Sequence, residues 1–354
     1  MANLPEHFDE LLSRIEPKSE RAKAAQDIPA QVRSFLKDSE KIKTVDPYSR
    51  LAGSYARCTA IKDIKDVDVI LFVTPEYKDE EPEIVLNALF SALQNLTEGI
   101  DDKGEVTICR HQRRSVNVHL EKKDFDLDIV PVVALDGADK KLEIPDKDWS
   151  KWVSTHPLGY ADALSKMNAT HKGKVVPLVK MLKHWRDVHM VYKRPKSYWL
   201  ECLVYHKIDD GDLVSDNISY AEMFRDLMSS IEDSFQKYLD EKTTVPKIPD
   251  PMLGNNVAHN WERGDFEAFM NQVHESRRWA ERALQQDDDS KAVELWQKVF
   301  GVEWFPSVVA QKIGESLRAA NLAGSIFVTP NGKVQIEKPT GRNVQVPSQR
   351  FYGK

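Results

Sequence analysis

An α+β fold, a mixed sheet with helices followed by an all-helical half, is predicted by three features of this 354-residue sequence. The first is DVDVILFV (66–73), an apolar run opened by alternating carboxylates and the strongest strand signal in the chain. The second is a helical segment at 82–98 followed, after Gly104, by three strand-like runs, EVTICRH, SVNVHLE and FDLDIVPVVAL. Strand, helix and three more strands in that order imply a mixed sheet with helices packed on it. The third is a change of period beyond Trp149, where helical spacing takes over.

Taken in order, residues 4–16 and 19–43 read as helical, with Pro29 expected to kink or restart the second segment. Pro47 then breaks the pattern ahead of SRLAGSYAR. The second half carries helical periodicity over 156–169, 174–192, 197–208, 219–240, 262–287 and 290–300. From Gly324, SIFVTPNGKVQIE offers two short runs joined by Asn331-Gly332, a hairpin turn signal. The last residues hold Lys338, Arg342, Arg350 and Lys354 with no acid among them, and read as a mobile basic tail. The expected division is therefore 1–150 as a catalytic lobe, 151–323 as a helical lobe, and 324–354 as hairpin and tail. Residues 1–43 are a helical part of the first lobe with the option of packing on the second.

With 41% hydrophobic and 30% charged residues, the composition suits a soluble globular protein with a large core. No apolar run reaches the ~18 residues that cross a bilayer, and the amphipathic acidic start MANLPEHFDELLSR is no signal peptide. Cys58, Cys109 and Cys202 lie far apart, with neither zinc spacing nor an even count. They read as thiols of a reducing compartment, so a cytoplasmic location is expected. A net charge of −6 argues against a large nucleic-acid surface, which needs many phosphate-neutralising cations.

The chemistry resides in GSYARCTAIKDIKDVDV (53–69). Phosphoryl transfer from a nucleoside triphosphate is served by two divalent ions, one activating the attacking oxygen and one neutralising the leaving pyrophosphate. Carboxylates at i and i+2 of a strand emerge on one face, because its side-chain period is two. Asp66 and Asp68 meet that requirement while Val67 and Val69 point to the core. Upstream, Gly53 permits close backbone approach to a triphosphate, and Ser54 adds a hydroxyl and an N–H for phosphate oxygen. A third carboxylate is expected from FDLDIVPVV, where Asp124, Asp126 and Asp128 share a face and periodicity does not choose among them. Asp128, beside the apolar IVPVV, occupies the most rigid position and is expected to help accept the proton of the attacking hydroxyl.

These residues resemble the DNA polymerase β-type nucleotidyltransferase superfamily, and within it the bacterial cyclic GMP-AMP synthase-like and oligoadenylate synthase-like group, the CD-NTases. Gly53, Ser54, Tyr55, Arg57, Thr59, Ala60, Ile61, Asp66 and Asp68 carry the motif. Cys58 departs from it, since relatives often have glycine there. In that group the third aspartate precedes an apolar pair and a proline, as in Asp128-Ile129-Val130-Pro131, which favours Asp128 over Asp126. VVPLVKMLKHWRD (175–187) resembles the helix whose lysine reaches the triphosphate, so Lys180 and Lys183 are candidates. KSYWLECLVYH (196–206) resembles the helix whose initial Ser197 and Tyr198 contact phosphate and stack on a base, and IPDPMLGNNVAHNW (248–261) a late site-lining element. Between Lys172 and Lys196, eight basic residues face one acid, Asp187, a local excess that suits a triphosphate.

The resemblance implies a two-lobed enzyme with its site in the cleft. Two Mg²⁺ ions, replaceable by Mn²⁺, would sit on Asp66, Asp68 and Asp128. ATP and other NTPs would be joined and cyclised into a di- or trinucleotide signal for antiviral (anti-phage, CBASS) defence. It further implies HORMA-type regulatory or effector partners encoded nearby, and a ubiquitin-ligase-like partner for the RFYGK end. The alternative is a template-independent RNA nucleotidyltransferase of the CCA-adding or poly(A) type, with the same metal chemistry. Base choice, linkage and ring size are not legible.

Overall fold

The computed structural model describes residues 2–17, 29–62, 66–94, 107–120, 125–192, 194–213, 218–241, 244–258 and 261–307. It also describes three two-residue strands, β8 (Phe327–Val328), β9 (Val334–Gln335) and β10 (Val344–Gln345). The helices of the first half are α1 (Pro5–Ile15), α2 (residues 29–37), the single turn α3 (Gly53–Ala56) and α4 (Pro82–Gln94). Its strands are β1 (Thr44–Leu51), β2 (Asp66–Val73), β3 (Thr107–His111), β4 (Val116–Leu120), β5 (Phe125–Val132), β6 (Leu142–Asp146) and β7 (Lys151–Thr155). The second half holds α5 (Pro157–Thr170), α6 (Val175–His189), α7 (Ser197–Asp209), α8 (Tyr220–Glu241), α9 (Arg263–Leu284) and α10 (Asp289–Phe300).

The central sheet has the order β1-β2-β5-β4-β3, with β2 and β5 parallel and the other pairs antiparallel. Strict alternation along DVDVILFV divides β2 between two cores. Val67, Val69, Leu71 and Val73 pack with Val85, Leu89 and Leu93 of α4 and with Val32 and Leu36 of α2. On the other face Ile70 and Phe72 meet Val132 of β5, Ala52, and Leu142 of β6. Asp66 and Asp68 belong to that second face by parity, and emerge from it where the β6–β7 hairpin no longer covers the sheet.

Four strands were not expected. Edge strand β1 carries Pro47, and its register against β2 shifts between Thr44 and Ser49. A proline and an irregularity are tolerated where one side of a strand is unpaired, and both blur the alternation a reader looks for. β6 and β7 pair antiparallel and have five residues each, too few for a period to show. β structure consequently runs past the expected boundary at 150, and the first helix of the second half starts at Pro157. β8 and β9 pair as the hairpin signal implied, while their connecting turn lies outside the described residues. β10 places a strand in the stretch read as a mobile tail; the rest of that tail lies outside the described residues.

The helical core is separate from the sheet cores and recruits α1. Phe8 of α1 is fully buried, edge-on to Trp296 at 4.9 Å, Phe305 at 5.2 Å and Phe300 at 5.9 Å. The N-terminal helix thus joins the C-terminal half, whereas α2, described from Pro29 onward, packs on the sheet. α6 runs through the helical core, and its polar residues Lys180, Lys183, His184 and Arg186 are buried along with its apolar ones. Phe8→Ala should lower stability by about 3–5 kcal/mol, the usual cost of emptying an aromatic site in a closed core. Thermal unfolding checks this, and an unchanged midpoint would detach α1 from the helical core.

Candidate active site

Two rows of acids follow from the register of β2 against β5. Asp66 lies opposite Asp126 and Asp68 opposite Asp128, on strands that side-by-side pairing holds ~4.8 Å apart. β4 extends each row, with His119 opposite Asp126 and Asn117 opposite Asp128.

Hydrogen bonding separates the candidates that periodicity left equal. Asp126 is bonded through Oδ1 to His119 Nδ1 at 3.0 Å. Asp128 Oδ1 accepts from Asn117 Nδ2 at 2.8 Å and from Gln112 Nε2 at 3.1 Å, and Ser115 Oγ fixes that glutamine by donating to its Oε1 at 2.6 Å. Neutral donors thus orient Asp128 without cancelling its charge, and no described hydrogen bond falls on its Oδ2. Asp124 lies outside the described residues.

Asp68 shows what the crowding costs. Its carboxyl is pushed up to about 6 by burial first and then by the charges of Asp66 and Asp128, with Arg57 pulling the other way. Burial and the charges of Asp66 and Asp126 likewise raise Asp128, against the pull of its two amide donors. Such like-charged hard oxygens are what Mg²⁺ or Mn²⁺ prefers. Among the described residues, however, no three His, Cys, Asp or Glu side chains converge closely enough to hold an ion as they stand. Asp68 is turned back over the Gly53 turn, where a Cβ added to Gly53 would lie 1.7 Å from Asp68 Oδ2. The donor chemistry suits a divalent ion, and sharing one requires Asp68 to swing off the turn.

The turn itself is built backbone-first. Gly53 has φ +65°, in the left-handed region that glycine enters freely. The Ala52 N–H donates to Asp68 O at 2.9 Å, and the N–H groups of Thr59 and Ala60 both donate to Ser54 O, at 2.9 and 3.1 Å. Cys58 also lies in the left-handed region, at φ +58°. Glycine, which the resemblance led one to expect at this place, enters that region freely.

Beneath the turn lies a buried ionic junction. Glu201 of α7, wholly buried, receives Arg57 Nε at 2.7 Å, Arg57 Nη2 at 3.1 Å, Thr59 Oγ1 at 3.0 Å and Lys183 Nζ at 2.6 Å. Burial alone would raise this carboxyl; Lys183 and Arg57 outweigh it and hold Glu201 below its ordinary value. Lys183 also donates to Thr59 O at 2.9 Å and to Thr59 Oγ1 at 3.0 Å. All three protons of its ammonium are thereby taken, and its side chain is 2% exposed. Lys183 is therefore corrected from a triphosphate contact to a pin under the loop. The ammonium of Lys180 is paired with Glu16 at 2.6 Å. Ser197 Oγ accepts from Arg186 Nη1 at 3.0 Å.

A cavity of about 300 Å³ opens beside Asp68, at the small end of ligand-site volumes. Ile70, Val130, Val132 and Ile144 give it an apolar side, while Gly53, Arg57, Tyr198 and Asp250 give it a polar rim. The Tyr198 hydroxyl donates to Asp250 Oδ2 at 2.8 Å, and Asp250 Oδ1 accepts the N–H groups of Met252 and Leu253. Arg57 lies 5.4 and 5.5 Å from the Tyr160 and Tyr198 ring centres. His156 also lines this cavity. Sequence reading missed Glu201, although one acid among Leu200, Cys202 and Leu203 was a usable signal, since an acid in an apolar run needs a partner. Asn117 and Gln112 gave no comparable sign, whereas Asp250 falls in the 248–261 element that the resemblance set along the site.

Comparison with known proteins now bears on this geometry. Residues 2–168 match the SMODS family, described as Second Messenger Oligonucleotide or Dinucleotide Synthetase domain. Over 353 residues the chain is 33% identical to the Cyclic AMP-AMP-AMP synthase of Acinetobacter sp. (strain ATCC 27244 / 9458), covering 95% of this chain and 96% of that one. The chain belongs to the bacterial CD-NTase family. It is a nucleotidyltransferase with the family's polymerase β-like fold. Among solved structures, E. coli MS115-1 CdnC with ATP superposes at a TM-score of 0.68, with 19% identity, over 86% of this chain and 99% of that one. The CdnC:HORMA-deltaN complex from E. coli MS115-1 gives 0.67, with 18% identity, over 86% and 98%. At such identities the likeness concerns the fold. Divalent-metal use is a property of this CD-NTase's family, and no helix among its described residues is long and apolar enough to cross a membrane.

Two measurements follow. Folding raises the Asp68 pKa above its unfolded value near 4, so its charged form destabilises the metal-free native state increasingly as pH rises through 4 to 6, and fully above. Asp68→Asn should therefore stabilise the metal-free protein at pH 7 by on the order of 1–3 kcal/mol, and the gain should vanish near pH 4. Denaturant melts at the two pH values check the sign; a gain that persists at pH 4 would exclude charge as its cause. Cys58→Gly should raise stability by about 1 kcal/mol, because a left-handed backbone suits glycine. A lower unfolding midpoint would contradict that account.

Proposed function

We propose that the chain joins nucleoside triphosphates, ATP among them, and closes the product into a cyclic di- or trinucleotide used in anti-phage (CBASS) signalling. The observation that carries this reading is the pair of carboxylate rows set by β2 and β5 beside the Gly53–Ser54 turn. The Acinetobacter relative, which spans almost the whole chain and is named a Cyclic AMP-AMP-AMP synthase, favours adenine nucleotides and a three-membered product.

In this proposal Asp66, Asp68 and Asp128 hold two Mg²⁺ ions, which when bound activate the attacking hydroxyl and neutralise the leaving pyrophosphate. Gly53 and Ser54 offer backbone N–H groups and a hydroxyl to the donor triphosphate. Lys180 exchanges Glu16 for a phosphate oxygen, and Ser197 at the start of α7 adds a hydroxyl. Tyr198, on the rim of the cavity, stacks a base. Asp128 stays oriented by Asn117 and Gln112, so its raised affinity for protons is presented to the attacking hydroxyl rather than averaged over rotamers. The bond formed joins that hydroxyl oxygen to the α-phosphorus; the bond broken is α-phosphorus to bridging oxygen, and pyrophosphate leaves. Arg57 and Glu201 touch no reacting atom and position the turn.

The proposed cellular setting is cytoplasmic, with a HORMA-type regulator or an effector as partner; one neighbouring structure is titled as a CdnC:HORMA-deltaN complex. A ubiquitin-ligase-like partner at the tail remains a separate proposal, on residues outside those described. Incubation with labelled ATP and GTP, with and without tRNA, followed by phosphatase and mass spectrometry, tests the reading. RNA-independent, phosphatase-resistant small products are expected, and Asp66→Ala with Asp68→Ala should reduce them at least ~10³-fold while leaving thermal unfolding cooperative. Labelled tRNA in place of small products would move the assignment to a CCA-adding or poly(A)-type enzyme.

A further inference from the structure

Asp128 has a second neighbourhood, made of residues that do not line the cavity. Gln112, which donates to Asp128, opens the β3–β4 turn that continues into Arg113 and Arg114. The tip of the β6–β7 hairpin meets that turn, with the Lys147 N–H donating to Arg113 O at 3.2 Å. Asp146, fully buried, clamps both guanidinium groups, accepting Arg113 Nε at Oδ1 and Arg114 Nε at Oδ2, each at 2.7 Å. Trp149 follows, 55% exposed, with Arg113 4.3 Å, Lys151 4.6 Å and Arg114 5.8 Å from its ring centre. Four cations (Arg113, Arg114, Lys147, Lys151) stand here against two acids (Asp146, Asp148), in a chain of net charge −6. Arg113 Nη2 is buried and has no hydrogen-bond partner among the described residues.

We propose that Arg113, Arg114, Lys151 and Trp149 form the binding surface for the 5′-triphosphate of the acceptor nucleotide. The inference rests on the proposed nucleotidyl transfer and adds what that reading lacks. Divalent ions neutralise the donor triphosphate, whereas the acceptor brings a second polyphosphate that reaches no metal and needs protein cations. It must also place its hydroxyl at Asp128, which Gln112 ties to this turn. The buried Asp146 holds Arg113 by its Nε and Arg114 by both Nε and Nη2, so the two guanidinium groups are fixed, with an Nη1 left on each, without much side-chain entropy left to lose. Trp149 offers a stacking face to the attached nucleoside. An acidic protein segment would find the same charge but would have no reason to sit against a catalytic carboxylate.

The first test needs no turnover. Tripolyphosphate is titrated onto the metal-free protein, and fluorescence quenching is compared between wild type and Trp149→Phe to isolate the signal of that one indole. Quenching should depend on Trp149 and weaken at least fivefold in Lys151→Glu, an exposed change outside the Asp146 clamp. Absence of Trp149-dependent quenching in the wild type overturns the proposal, whether or not the enzyme makes product. Equal quenching by an oligoglutamate peptide also overturns it, in favour of an acidic protein partner.

The second test uses turnover. ATP is the donor, and the acceptor is α,β-methylene ATP, AMP, or a linear 5′-triphosphorylated dinucleotide. Lys151→Glu and Trp149→Ala should raise KM at least fivefold for the triphosphorylated acceptors, with little change for AMP or for the donor. An effect on the mononucleotide alone places the surface in initiation, one on the dinucleotide alone in elongation or closure, and equal KM values for all three acceptors overturn the proposal. A wild type that releases no pyrophosphate would instead refute the nucleotidyltransfer reading, leaving the binding result to stand by itself.

Discussion

Repulsion among carboxylates is the constraint around which this structure is arranged. Parallel pairing of β2 with β5 places Asp66, Asp68, Asp126 and Asp128 on one sheet face, where ordinary folding would place apolar side chains or alternate the charge. The arrangement persists because further along the same two strands that face becomes Ile70, Phe72 and Val132, sealed by Ala52 and Leu142. Hydrophobic burial at one end of two strands thus holds unfavourable charge at the other. That is the familiar trade of stability for function, with a stated cause.

A second charged feature solves a different problem. The turn carrying Gly53 and Ser54 belongs to the sheet, while the tyrosine rim of the cavity belongs to the helical half. Glu201 joins them by accepting from Arg57 and Thr59 on one side and Lys183 on the other, with no exposure to water. Breaking such a buried group by removing one partner costs about 3–5 kcal/mol, since an unpaired charge is left in low dielectric. Its directionality matters more than its strength. Four hydrogen bonds to one carboxylate define where the turn stands relative to α6 and α7, which apolar contacts alone would leave free to slide.

Membership in the CD-NTase family and the local physics point the same way from independent grounds. The match to the Acinetobacter synthase runs along nearly the whole chain, and so includes the helical half that supplies Glu201, Tyr198 and Asp250. The described geometry distinguishes residues that face the cavity from residues that shape it. Lys183, basic and next to the Gly53–Ser54 turn in space, belongs to the second group, whereas Arg57 both lines the cavity and braces the turn through Glu201.

Local periodicity determined a good deal. Period two in DVDVILFV placed Asp66 and Asp68 together, and helical spacing located α1 and the six long helices of the second half to within a few residues, because these signals depend on neighbours in the chain. β1 and the β6–β7 hairpin escaped, since Pro47, a register shift and five-residue lengths leave no period to read. Periodicity was equally silent on Asp126 against Asp128 and on Lys180 against Lys183, where the resemblance supplied a preference only for the aspartate. Those choices turn on partners distant in sequence: His119 or Asn117 for the acids, Glu16 or Thr59 and Glu201 for the lysines. A side chain's type is written in the chain, but which donor or acceptor meets it is decided only when strands and helices from different parts of the chain are brought within hydrogen-bond reach.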